Sequence, residues 1–234
     1  MLYGAIYGKQ PPSLPEGMRY TVQIQQPLAW IMTFLHGRKQ DLVRVMDVDT
    51  HFRRGVAIDI VMDASPWGMG AILSIDGCPA EYFAVPTTDA DARHIGLEIS
   101  RDSKCQQAFE ALTVLVALRH WRYHWATRRV VLHVSSDNMS ALSMVCKMQP
   151  HSESLGVIAR ELTLDIADSV YEPQLVSHTP GVANIAADML SRKFEPGHHF
   201  SLPHCLAAAT ETLPAERTTE WWRALVPRRC HSAR

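Results

Sequence analysis

The sequence has no apolar run long enough to span a bilayer, and its first residues lack the charged-then-apolar pattern of a secretion signal. It has no CxxC pair either. Its five cysteines (Cys78, Cys105, Cys146, Cys205 and Cys230) are odd in number and scattered. They argue against a disulfide framework and for a reduced, intracellular setting, with no membrane partner. Neither sign of charge dominates: 23 basic and 24 acidic residues leave a net charge of -1. Any contact with a polyanion must therefore come from local basic patches. With 47% hydrophobic and 20% charged residues in 234 positions, the chain suits one substantial globular domain with flanks.

One stretch organises the chain: VAIDIVMDASPWGMGAIL, residues 56–73. A Val- and Ile-rich run ending at Asp63 predicts a buried strand, SPWG a turn, and GMGAILSI a second strand whose Gly68 and Gly70 permit close backbone approach. Asp76-Gly77 is a hairpin signal, and AEYFAV returns as a third strand, making an antiparallel meander.

Before it, residues 1–54 read as a flanking segment. Pro27 with LAWIMTFLHG predicts a short helix with proline in its first turn and Gly37 at its end. Arg38, Lys39, Arg44, Arg53 and Arg54 make either a solvated face or phosphate contacts. After the meander, 86–102 reads as a polar loop with one helical turn at most. A helix follows over 104–125, apolar nearly all round and carrying Glu110 on the stripe of Val114, Ala117 and Trp121. Its end, RHWRYHWATRR, offers Arg119, Arg122, Arg128 and Arg129 to solvent or to phosphates, with Trp121 and Tyr123 packing or stacking.

VVLHVSSD predicts a strand that stops at Asp137, and NMSALSMV a helix. Another helix runs through Leu155, Ile158, Leu162 and Ile166, its acids Glu161, Asp165 and Asp168 spaced as an exposed face. QLVSH is a strand, TPG a turn, and VANIAADMLSRK a last helix bearing Asp188. Beyond Pro196, His198, His199, His204 and Cys205 match no zinc spacing.

Four carboxylates thus fall where apolar residues or strand ends are expected. Each has a plainer reading alone: Asp63 and Asp137 as caps, Glu110 at the margin of its stripe. Together they point elsewhere. A helix between the meander and the Asp137 strand lets that strand lie parallel to the Asp63 strand by a right-handed crossover. The carboxylates then converge, and they cannot all stay ionised without divalent cations. An all-oxygen set suits Mg²⁺ or Mn²⁺, and two ions about 4 Å apart serve phosphodiester hydrolysis. Asp59 shares the strand face of Asp63 but lies about 13 Å away, too far to share a metal.

The order Asp-Glu-Asp-Asp resembles the type I ribonuclease H family, and in particular the ribonuclease H domain of retroelement reverse transcriptases. DASPWGMGAIL, FEALTVLVAL, VSSDNMSAL and HTPGVANIAADMLSR are similar to its four motifs, over residues 55–193. The resemblance implies an α/β, ribonuclease H-like three-layer fold: a five-stranded mixed sheet, antiparallel meander then parallel strands, flanked by helices. It implies that residues 55–194 form the domain, with 1–54 a connection segment and 195–234 a C-terminal tail. It implies Asp63, Glu110, Asp137 and Asp188 as ligands of two Mg²⁺, and His178, ten residues before Asp188, as an aid to water positioning or product release. The implied activity is hydrolysis of the RNA strand of an RNA–DNA hybrid. The implied setting is cytoplasmic, nuclear or a retroelement particle, with a polymerase domain or chain as a further partner.

The chain departs from the family in two respects. No aromatic-x-Asp-Asp polymerase motif is present, and no basic helical protrusion follows Asp137. Two other readings stand beside the nuclease. A catalytically silent, connection-type module would bind nucleic acid or a partner without cutting. An integrase-like DNA nuclease would place its glutamate last, against the order here.

Overall fold

The computed structural model describes residues 22–37, 48, 52, 54–98, 103–126, 128–137, 152–168, 175–178 and 184–224. The chain forms two compact units, one of Met1–Val43 with Thr219–Arg234, the other of Arg44–Thr218.

The smaller unit holds helix α1 (Val22–Gly37). It begins five residues before Pro27, so the proline sits inside the helix and not in its first turn as the sequence suggested. Proline there removes one donor to the carbonyl four residues back. One turn apart, Trp30 and Phe34 stack with ring centroids 5.4 Å apart. The Thr33 hydroxyl lies 2.9 Å from the Ala29 carbonyl and 3.2 Å from that of Arg223.

The larger unit is built on a sheet of β1 (Val56–Ala64), β2 (Gly68–Ile75), β3 (Cys78–Pro86), β4 (Val130–Ser136), β5 (Leu175–His178) and β6 (Thr210–Glu211). Their spatial order is β5-β4-β1-β2-β3-β6. β1, β2 and β3 form the antiparallel meander, and β4 and β5 add in parallel beside β1. This is the expected five-stranded mixed sheet. To it residues 210–211 add a sixth, parallel strand on the β3 edge. Asp76 and Gly77, at φ 49° and 81°, turn the second hairpin as Asp-Gly predicts.

Helices α2 (Asp89–Ile95), α3 (Ser103–His120), α4 (Glu153–Ala167) and α5 (Ile185–Ser191) surround the sheet. Strand alternation decides which residues each helix meets. Ile58, Ile60 and Met62, all fully buried, lie under α3, and Phe83 on that face meets Trp121 with centroids 5.2 Å apart. α4 packs on α3. Gly70 and Ile72 point the other way, under α5, and Ile72 joins Tyr82, Ala84, Leu190 and Leu206 in a small core. A Cβ on Gly70 would come within 2.5 Å of the Leu190 Cβ and 2.7 Å of the Ser191 nitrogen. Glycine is thus what lets α5 settle against the strand backbone. Helix, sheet and helix make an α/β fold of three layers, consistent with the ribonuclease H-like arrangement.

Several local readings need correction. The segment after Pro86 is not a loop with a single turn: Thr88 and Asp91 form a capping box that starts α2, and left-handed Gly96 ends it. α3 stops at His120, five residues before Trp125, and a 3₁₀ turn over Arg122–His124 follows. Glu81 holds that turn, accepting from Trp121 Nε1 at 2.9 Å, from the Tyr123 hydroxyl, and facing His124 Nε2 at 2.8 Å. These donors hold the Glu81 carboxyl below the usual range despite its partial burial.

Glu161 and Asp165 are buried, not exposed. Arg119 reaches across from α3 to lie 2.7 Å from Glu161 and 2.6 Å from Asp165. The i, i+4 spacing was that of a face turned to a buried partner, and only Asp168 of the three is exposed. Arg122 and Arg128 also have partners within the chain, the carbonyls of Asp168 and His124. The helix expected over NMSALSMV lies outside the described residues.

Residues placed by sequence in the C-terminal tail contribute to the larger unit. Leu206 is fully buried, and Arg217 makes a two-pronged pair with buried Asp91 at 2.6 and 2.8 Å. No helix among the described residues is long and apolar enough to cross a membrane.

Candidate metal centre

Because β1 and β4 run parallel with Val61 opposite Ser135, Asp63 and Asp137, two residues further on in each, emerge at the same sheet end. Glu110, 1% exposed, descends on them from α3, and Asp63 is 5% exposed. One oxygen from each of Asp63, Glu110 and Asp137 lies within 4.8 Å of the others. A cleft of about 280 Å³ opens over them, lined also by Asp188, Gln106 and Arg192.

The donors around these carboxylates fix their orientation. Glu110 Oε1 accepts from the Ala64 N–H at 3.2 Å and from Gln106 Nε2 at 3.1 Å, and its Oε2 from the Ser136 hydroxyl at 3.2 Å. Gln106 also donates to the Ala64 carbonyl. Asp63 Oδ2 accepts from the Ser191 hydroxyl at 2.5 Å. Asp188 lines the cleft but stands outside the close group, and its Oδ1 is 2.7 Å from Arg192 Nε. Asn184, ahead of α5, ties that helix to β1 by donating to the Met62 carbonyl at 3.0 Å.

Asp63 and Glu110 are costly to ionise without a cation. Burial pushes the Asp63 carboxyl up to about 7; the Ser191 hydrogen bond opposes this, and the charges of Asp137 and Asp188 add to it. Glu110 is raised well above the usual carboxylate range, first by burial and then by Asp63. Buried, converging, oxygen-only donors of like charge are what a hard divalent cation neutralises. The three residues therefore fit a metal ion.

This has a consequence for stability. Between about pH 4 and 7 the unfolded chain has lost the Asp63 proton while the folded chain keeps it, so stability falls as pH rises through that window and levels off above it. Metal-free protein should melt several degrees lower at pH 8 than at pH 5, at about 2–4 °C per kcal/mol for this size. Millimolar Mg²⁺ should raise the melting temperature at pH 8 and hardly at all at pH 5. Differential scanning calorimetry with EDTA and with Mg²⁺ checks both; a metal-free melting temperature that rises from pH 5 to 8 contradicts the assignment.

His178 closes β5 with its backbone opposite Ser136, one residue before Asp137; its side-chain role lies outside the described residues. Asp59 is engaged elsewhere, with His133 Nδ1 2.8 Å away on the neighbouring strand. Among the described residues, His198, His199, His204 and Cys205 join no group that could hold a metal. Sequence reasoning passed over Gln106, Ser191 and Arg192. Gln106 stands four residues before Glu110 and Arg192 four after Asp188, the helical spacing that puts each beside a carboxylate.

No protein-family model matches the chain, and no curated protein matches it.

Proposed function

We propose that the protein is a divalent-metal-dependent endonuclease that hydrolyses the RNA strand of RNA–DNA hybrids, as the nuclease part of a retroelement reverse transcriptase. One observation carries this reading: one oxygen from each of Asp63, Glu110 and Asp137 lies within 4.8 Å of the others beneath an open cleft. Those three residues would hold Mg²⁺, or Mn²⁺ in its place, with Asp188 joining them. When bound, the metal supplies charge neutralisation at phosphorus and a water of lowered pKa.

The chain's own groups do the rest. Ala64, Gln106 and Ser136 donate to Glu110, and Ser191 to Asp63. Arg192, 44% exposed at the rim, brings a planar guanidinium beside any phosphate that enters. By the resemblance, His178 would assist in positioning the water or releasing the product. The Asp188–Arg192 pair also favours a second reading, a silent hybrid-binding module in which Asp188 stays with arginine.

End-labelled RNA–DNA hybrid, RNA–RNA and DNA–DNA duplexes, each with Mg²⁺ or EDTA, test the proposal. Cutting of the hybrid's RNA strand alone, abolished by EDTA, is the expected result. Binding of hybrid without cutting, with Mn²⁺ also tried, would replace the nuclease by the module.

A further inference from the structure

α5 ends on a serine whose side chain does something unusual for a helix terminus. Ser191 is fully buried. Its hydroxyl lies 2.5 Å from Asp63 Oδ2 and 2.9 Å from the carbonyl of Asp188. A hydroxyl has one proton to give. The Asp188 carbonyl already receives the Arg192 N–H at 3.1 Å, and a carboxylate is the stronger acceptor, with O–H···O⁻ bonds typically about 2.5–2.7 Å long. The Ser191 hydroxyl therefore donates to Asp63.

The serine itself is held in place. Ser65, two residues past Asp63, donates its hydroxyl to the Ser191 carbonyl at 2.7 Å. Gly68 and Gly70 leave no Cβ to keep α5 off the strand: a Cβ would fall 2.7 Å from the Ser191 carbonyl oxygen at Gly68 and 2.7 Å from its nitrogen at Gly70. The turn, the two glycines and the helix end thus converge on one hydrogen bond.

We infer that Ser191 is a positioning residue for the metal centre, its hydroxyl clamping Oδ2 of Asp63 so that the carboxylate keeps one orientation toward a divalent cation. A terminal carboxylate torsion is broad and nearly free by itself, so an unclamped Asp63 would spend its oxygens on several orientations. The inference rests on the reading of Asp63 as a metal ligand. Residues that orient ligands in this way typically account for about 10–100-fold in metal affinity or activity.

Isothermal titration of the full chain with Mg²⁺ at pH 8, without nucleic acid, reads this directly. Ser191→Ala keeps a good helix former and removes only the hydroxyl, and is expected to weaken Mg²⁺ binding by about 10-fold or more. Ser191→Cys, nearly the same size and a weaker donor, should fall between the two and serves if the alanine variant folds poorly. Ser65→Ala loses the bond to the Ser191 carbonyl and those its hydroxyl receives from the Trp67 and Gly68 N–H groups. It should lower the melting temperature and weaken Mg²⁺ binding less than Ser191→Ala does, since the hydroxyl that meets Asp63 remains. Equal affinity in Ser191→Ala and the parent overturns the inference alone, as does equal weakening by Ser65→Ala. If the parent binds no Mg²⁺, the metal reading falls and the inference with it.

Discussion

Glu110→Gln is expected to abolish hybrid cleavage while leaving the metal-free protein at least as stable as the parent. The two effects have one cause. Glu110 is 1% exposed, and burial together with the Asp63 charge raises its carboxyl well above the usual range. Ionising it is therefore unfavourable in the fold, and an amide of the same shape removes that penalty. Glutamine's single oxygen can still accept from the Ala64 N–H, and its amino group can meet the Ser136 hydroxyl, which now serves as acceptor. The side chain stays put, but the cleft loses one anionic oxygen donor from the only close trio among the described residues.

Losing a residue that merely orients a ligand costs about 10–100-fold, so losing a ligand should cost more than about 100-fold in kcat/KM, or over 2.7 kcal/mol at about 1.36 per tenfold. Melting at pH 8 in EDTA should be unchanged or higher, and the Mg²⁺-induced rise should vanish. A variant that cuts hybrid within tenfold of the parent would remove Glu110 from the centre. One that melts well below the parent would make it a structural residue.

Arg217→Ala should be strongly destabilising although Arg217 lies outside the cleft. Arg217 Nε and a terminal nitrogen grip both oxygens of Asp91 at 2.6 and 2.8 Å, and that nitrogen reaches the Pro86 carbonyl at 3.0 Å. Asp91 is fully buried and also caps α2 through Thr88. Truncating the arginine leaves a buried carboxylate without its guanidinium, which typically costs about 3–5 kcal/mol, or on the order of 10 °C in melting temperature. Adding Asp91→Asn should return part of the loss, since the amide keeps an oxygen for the Thr88 N–H and carries no charge. Thermal melts of the single and double variants form the cycle. Equal stability of Arg217→Ala and the parent would show that the Arg217–Asp91 pair does not hold the fold together.

The meander, the parallel strands and the positions of Asp63, Glu110 and Asp137 were legible because each rests on local regularity. Strand period, the Asp-Gly turn and a carboxylate set in an apolar run are all written within a dozen residues. Asp188 was placed on the right helix, but its ion pair with Arg192 was read over, although four-residue spacing could have signalled it.

What local pattern cannot carry is partnership across the chain. Glu161 and Asp165 look like a solvated face until α3 brings Arg119 over them from 42 and 46 residues away. Arg217 looks like tail until it meets Asp91, 126 residues earlier. Ser191 looks like a helix end until Gly70 admits it to Asp63.

The sequence by itself determined the meander, the parallel strands beside it, and Asp63 and Glu110 as carboxylates set where charge is costly. Only the tertiary structure decided which charge answers which. Burial sets the cost of a lone charge, but the partner that offsets it is chosen by packing, and packing joins residues that the chain keeps far apart.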